Sequence, residues 1–290
     1  APGNADYRKT QIETLAWLAD ALEYNGQIDD ALARREQQIG ILDGLLREAR
    51  IVPVYRRREM VANRAAGRLY ATRGDLAEGL RHLQAATKLG QELYRIEPDN
   101  ADWAGLAAFA QLDRAAVELA AGDLAGAGSS TGAGCDSARR LVQRDDSVSE
   151  WRFRLGIGCL GMRQRLAMAA GAHDTARSFA DQAARLARAE AAAKQTADVR
   201  FGLAGAELLR GLAASAAGDR PGASEAFRAA ASAWPGGASL KPSSAAQQVL
   251  ILEGLGRKDK AEALAAKLAE MGYRHPIYLR DRREIRRGVR

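Results

Sequence analysis

The chain has 290 residues, of which 47% are hydrophobic and only 6% aromatic, with a formal net charge of +7. That content suffices for a continuous core of small side chains, alanine above all. No apolar run approaches the ~20 residues needed to span a bilayer, which excludes a membrane span. Alternating strand patterns of useful length are missing, so essentially no sheet is expected.

The charge invites a nucleic-acid reading that its location opposes. Between Arg274 and Arg290 stand seven arginines and two acids, Asp281 and Glu284, which account for most of the excess. A terminal basic run of this kind reads as a solvated tail or a charged end cap, and no nucleic acid is expected as a partner. The two cysteines, Cys135 and Cys159, are too few for a disulfide framework and fall in small-residue helical contexts. Buried free thiols are expected, compatible with a reducing compartment; the cytoplasm is favoured. The sequence shows no signal-peptide pattern and begins at Ala1 without a methionine, as a processed chain or a cut-out fragment would.

In chain order, residues 1–6 read as a frayed lead-in. The first helix spans 7–24, with Leu15, Leu18, Ala19 and Leu22 at helical spacing. Gly26 stops it, and a second helix covers 29–50. Pro53 breaks the chain. A second pair follows over 55–96, its first helix cationic with Arg56, Arg57, Arg58, Arg64 and Arg68. The third pair covers 101–143. Its second helix contains Gly126, Gly128, Gly132 and Gly134, and at ~1 kcal/mol each relative to alanine these predict a helix of poor stability rather than a loop. With neither a lysine nor a preceding strand, this stretch is not a phosphate loop. The fourth pair covers 149–194, turning at Gly171. The fifth covers 197–234 and stops at Pro235-Gly236-Gly237, with Pro242 keeping the linker open. The sixth, 243–271, is the shortest. Residues 272–290 form the basic cap or tail, with Tyr273 and Tyr278 covering the apolar end of the stack.

Each pair turns at a glycine followed five residues later by a small residue: Gly26/Ala31, Gly74/Gly79, Gly122/Ala127, Gly171/Ala176, Gly218/Ala223 and Gly256/Ala261. Successive glycines are 48, 48, 49, 47 and 38 residues apart, and a near-constant period means a repeat array. Glycine ends the first helix in a left-handed conformation. Asp75, Asp123 and Asp219 then cap the second helix, whose small residue lets the two backbones approach. The stretches leading to Trp103 and Trp151 repeat at the same interval. The expected fold is all-α: a solenoid of about six antiparallel helix pairs.

These residues resemble the tetratricopeptide repeat. Gly67, Tyr70, Gly74, Gly79 and Ala86 keep its register, as do Gly211, Gly218, Ala223, Phe227, Ala230 and Pro235. The period departs from the ~34 residues of the standard unit and looks like the long-period arrays of bacterial multidomain signalling and defence proteins. The resemblance implies a right-handed solenoid whose first helices line a concave groove. It places Glu13, Trp17, Asp20 and Tyr24 there from repeat one, and Arg64 and Arg68 from repeat two. Phe109, Leu112 and Asp113 follow from repeat three, and Met162, Arg165 and Met168 from repeat four. Of these, Arg64, Arg68, Phe109, Asp113, Met162 and Arg165 are the candidate peptide-binding residues. Arginines suit carboxylates, so an acidic segment or a free C-terminus is the expected ligand, unless these arginines pair with acids of the array itself.

Catalytic chemistry is not expected. His82, His173 and His275 are far apart and lack metal-ligand spacing, so no metal or cofactor is implied. No serine sits in a nucleophile elbow. The acid pairs Asp29/Asp30 and Asp145/Asp146 suit helix starts. The expected function is a non-enzymatic protein-interaction scaffold, the partner-binding part of a larger bacterial signalling protein, with self-association as a further role. The alternative is a ligand-sensing array that controls a fused DNA-binding or effector domain.

Overall fold

In a computed structural model, residues 5–48, 53–236 and 241–288 are described. The start of the lead-in, the end of the second predicted helix, Gly237 and the last two residues lie outside them. Thirteen α-helices follow one another, with no strand among the described residues. They are α1 (Ala5–Tyr24), α2 (Ile28–Glu48), α3 (Pro53–Arg73), α4 (Leu76–Ile96), α5 (Ala101–Ala121), α6 (Leu124–Arg144), α7 (Gly156–Ala169), α8 (His173–Ala193), α9 (Ala197–Ala216), α10 (Arg220–Ala233), α11 (Pro242–Gly254), α12 (Lys258–Glu270) and α13 (Pro276–Gly288). A π-helical turn, Glu150–Leu155, leads into α7. Pro53 and Pro242 do not merely interrupt the chain: each is the first residue of a helix, where its missing N–H costs nothing.

The first twelve helices form six antiparallel pairs of a right-handed α-solenoid. All six turn glycines take positive φ, from 68° at Gly256 to 90° at Gly74. The three turn aspartates cap their helices, Asp123 accepting from the Gly126 amide at 2.8 Å and Asp219 from the Gly222 amide at 2.9 Å. Small residues at the crossings are required sterically. A Cβ on Gly67 would lie 2.6 Å from Leu83 Cγ and 2.9 Å from the Gly79 carbonyl. The long period has a simple origin: α2 to α6 and α8 are each 21 residues, whereas α10 and α11, of 14 and 13 residues, give the short final spacing.

Each second helix packs on its own first helix and, up to α10, on the next one. First helices also touch along α3–α5–α7–α9–α11, whereas second helices make no comparable contact with one another. The array therefore curves with first helices inside and second helices splayed outside. It curves far enough for its ends to meet. A Cβ on Gly26, in the first turn, would lie 2.6 Å from Met271 Sδ at the end of the sixth pair. One apolar cluster joins Ile12, Ile28 and Leu42 to Phe227, Leu268, Tyr278 and Ile285.

The glycine-rich stretch is helical, as expected, and is an uninterrupted part of α6. Gly134 is needed there, since a Cβ would lie 3.1 Å from both the Ala108 carbonyl and Leu112 Cγ of α5. Cys135 and Cys159 are buried as expected but not free: they form a disulfide between α6 and α7, with Cα atoms 5.5 Å apart. Helix crossing brings them together, which sequence separation alone does not reveal. Lastly, the basic C-terminal run is no solvated tail. It is helix α13, and Ile285, 1% exposed, anchors it to the core. Asp145 also sits elsewhere than expected, closing α6 while accepting from the Ser147 amide and hydroxyl.

Candidate functional site

On the inner face, side chains from successive first helices converge. Arg64 of α3 donates from Nε to Asp113 Oδ2 of α5 at 2.6 Å. Its guanidinium lies 4.9 Å from the Phe109 ring centroid, and that of Arg154 lies 5.5 Å from the same ring. Both the ion pair and the cation–ring contact fix the Arg64 fork in place. Arg68, one turn further along α3, stays exposed, 4.0 Å from Glu23. The charge of Asp113, more than that of Glu23, raises its pKa further.

The chain's own C-terminal segment runs through this face. After Gly272, at φ 76°, residues Tyr273 to His275 are non-helical. The Arg274 amide donates to the Thr72 carbonyl of α3 at 2.7 Å. Tyr273 is buried and meets Tyr278 edge to face at 5.6 Å. Burial pushes the Tyr273 hydroxyl up. Burial, and after it the positive charge of Arg165, pushes the His275 imidazole down from 6.5 to about 4, against the opposing pull of Asp281. It is therefore uncharged at neutral pH. Further on, Arg165 of α7 donates to Asp281 Oδ2 of α13 at 2.6 Å, and Asp281 is only 3% exposed. On the other side of α13, Arg282 and Arg286 bind Glu253 of α11 at 2.8 and 2.6 Å. Glu253 and its arginines are thus an internal clamp on the cap.

Of the candidate residues, Arg64, Phe109 and Asp113 are brought together. Arg68 lies beside them and Arg165 binds the C-terminal segment. Met162 goes elsewhere: with Leu112 it is buried in the apolar cluster around the disulfide. Met168 receives the Gln164 amide. The inner side of repeat one remains open. There Trp17, 76% exposed, lines a cavity of about 240 Å³ with Glu13, Asp20, Arg57 and Arg58.

Sequence reasoning missed Tyr273, His275 and Asp281 as occupants of the inner face. The available signal was Asp281, one of two acids, and two aromatics within a largely basic run. It also missed a buried polar group between the first two pairs. His82 there lies 2.9 Å from Asn63 Oδ1 and 3.0 Å from Glu36, and stacks on Tyr70. Burial lowers the His82 pKa ahead of the counteracting charge of Glu36. Among the described residues, no group of three His, Cys, Asp or Glu side chains is placed to hold a metal ion. No helix among them is long and apolar enough to cross a membrane.

No protein-family model matches the chain, and neither does any curated protein. Among solved structures it is similar to a Rap protein crystallised in complex with competence and sporulation factor. That likeness has a TM-score of 0.52 at 13% identity and covers 95% of this chain and 80% of that one. At such identity the likeness establishes the fold alone, a curved array of helix pairs.

Proposed function

We propose that this chain is a non-enzymatic protein-interaction scaffold of the long-period tetratricopeptide kind, the partner-binding part of a larger bacterial signalling protein. Its inner face takes a peptide segment. One observation carries this reading: a stretch of the chain itself lies on that face and uses contacts available to any peptide. Its backbone amide at Arg274 meets the Thr72 carbonyl, and its carboxylate at Asp281 meets Arg165. Arg64 and Arg68 extend the same face toward the open cavity beside Trp17, where an acidic segment in trans would continue. The similar Rap protein was crystallised with a bound factor, so an array of this shape accommodates one.

A ligand-sensing role is favoured by the same segment. It touches α3 and α7 and leads out of the sixth pair, so displacing it would alter how the two ends of the array meet. A fused effector would read that change.

A labelled synthetic copy of residues 272–288 tests the proposal. It should bind the Asp281→Lys chain, whose own segment is loosened. Binding should fall by about tenfold or more when Arg64→Glu and Arg165→Glu are added. Absence of binding to the loosened chain would rule out the inner face as a peptide site.

A further inference from the structure

The outer face repeats one geometric feature. At three places where two second helices flank the first helix between them, a cleft opens. Helices α2 and α4 form one over α3, of about 490 Å³. Helices α8 and α10 form another over α9, of about 400 Å³. The cleft between α4 and α6 over α5 is the largest, about 520 Å³. All three fall within the usual size of ligand sites.

Their charges differ. In the α2–α4 cleft, Arg56 is paired with Glu92, and Asp43 and Glu59 add further acid. In the α8–α10 cleft, Arg188 binds Glu207 at 2.6 Å. The α4–α6 cleft is walled by Arg95, Arg140 and Arg144, all exposed, with Asp99 as its one carboxylate. Arg144 donates to the Asp99 carbonyl at 2.6 Å and Arg140 to the Ser137 hydroxyl at 3.1 Å. Among the described residues, none of these arginines forms an ion pair with a carboxylate. Most other arginines of the array do form one, including those of the inner face, although Arg47 and Arg200 in the two other clefts do not. The floor is apolar and flat, made by Ala101, Ala104 and Ala107 of α5 with Gly90 and Leu141, and Tyr94 stands exposed at the edge.

We infer that the α4–α6 cleft binds an acidic amphipathic segment of a partner protein. Its aliphatic side chains sit on the alanine floor while its carboxylates meet Arg95, Arg140 and Arg144. Alanines let a helix backbone approach closely, in the manner of helix-in-groove recognition. Arginine forks favour carboxylates held in a fixed place. A nucleic acid fits less well. Its phosphates would need a longer row of cations, but in the next cleft along the outer face Arg47, Arg56 and Lys88 are balanced by three carboxylates. This site is separate from the inner face and stands without it.

Peptides selected from a random displayed library on the intact chain provide the test. They should be enriched in Asp and Glu interleaved with aliphatic residues. A synthetic selected peptide should lose about tenfold or more in affinity to two variants. One is the triple Arg95→Gln, Arg140→Gln, Arg144→Gln chain, which removes charge. The other is Ala104→Trp, which fills the floor. Arg64→Glu should leave its affinity unchanged, which separates this site from the inner face. Far-ultraviolet circular dichroism and melting confirm that each variant is folded. Selection without acidic enrichment, or affinity indifferent to both cleft variants, overturns the inference. So does arginine-dependent binding of a single-stranded oligonucleotide where the acidic peptides fail.

Discussion

Arg165 and Asp281 stand 116 residues apart in the chain and 2.6 Å apart in space. Asp281 is almost fully buried at that contact. The pair ties the fourth helix pair to the C-terminal cap and holds the segment between them on the inner face. Removing one partner of such a pair leaves the other charge without compensation, a loss of about 3 kcal/mol. Asp281→Ala should therefore lower the melting temperature and expose the Gly272–Pro276 stretch to protease. The expected first cut lies between the sixth pair and α13, and a cut elsewhere would count against the arrangement.

Glycines in this array make opposite predictions. Gly128 and Gly132 lie in α6 with nothing within 4 Å of an added Cβ. Alanine at either should stabilise by about 1 kcal/mol, the ordinary helix propensity difference. At Gly211 an added Cβ would lie 2.7 Å from Phe227 Cε1, and Phe227 is fully buried. There the steric loss outweighs the propensity gain, and Gly211→Ala should destabilise by about 1–3 kcal/mol. Chemical denaturation of the three single variants measures both signs.

Asp43 and Glu59 share the α2–α4 cleft. Burial, followed by the hydrogen bond and charge of Asp43, raises the Glu59 pKa from 4.5 to about 7. A folded pKa above the unfolded one means that Glu59 supports folding below pH 4.5 and that this support is lost as pH rises through 7. Glu59→Gln should consequently gain stability over the parent chain above pH 7, with the difference shrinking toward acid. Denaturation midpoints across that range decide it; a difference independent of pH would contradict the shared proton.

The disulfide joins residues 24 positions apart. A loop of that length supplies about 3 kcal/mol by restricting the unfolded chain. Reductant should lower the melting temperature of the parent chain and leave that of Cys135→Ala, Cys159→Ala unchanged. Since the bond anchors α6, whose glycines weaken it, hydrogen exchange on reduction should rise first in α6.

Much of the architecture was legible because it is written locally. Positive-φ glycines, aspartate caps and small crossing residues each act within a few positions, and their recurrence gave the array. The ion pair of Arg64 with Asp113 was foreseeable in kind, since one repeat period separates neighbouring first helices. What the sequence hid depends on closure of the whole curve. Met271 reaching Gly26, Arg274 reaching Thr72 and Asp281 reaching Arg165 are long-range consequences of summed small rotations between pairs. No local signal encodes that sum. Cys135 and Cys159 illustrate the same limit at shorter range, because which faces of α6 and α7 meet is set by packing.

The chain's own C-terminal segment lies on the inner face, held by contacts that, in the proposed function, a partner replaces. Amide hydrogen exchange at Arg274 measures this most directly, because that amide has the Thr72 carbonyl as its acceptor. Exchange should be slow in the parent chain and fast in Asp281→Lys, with the helices otherwise protected. Exchange at Arg274 as fast as in an unstructured peptide, in the parent chain itself, would contradict that placement.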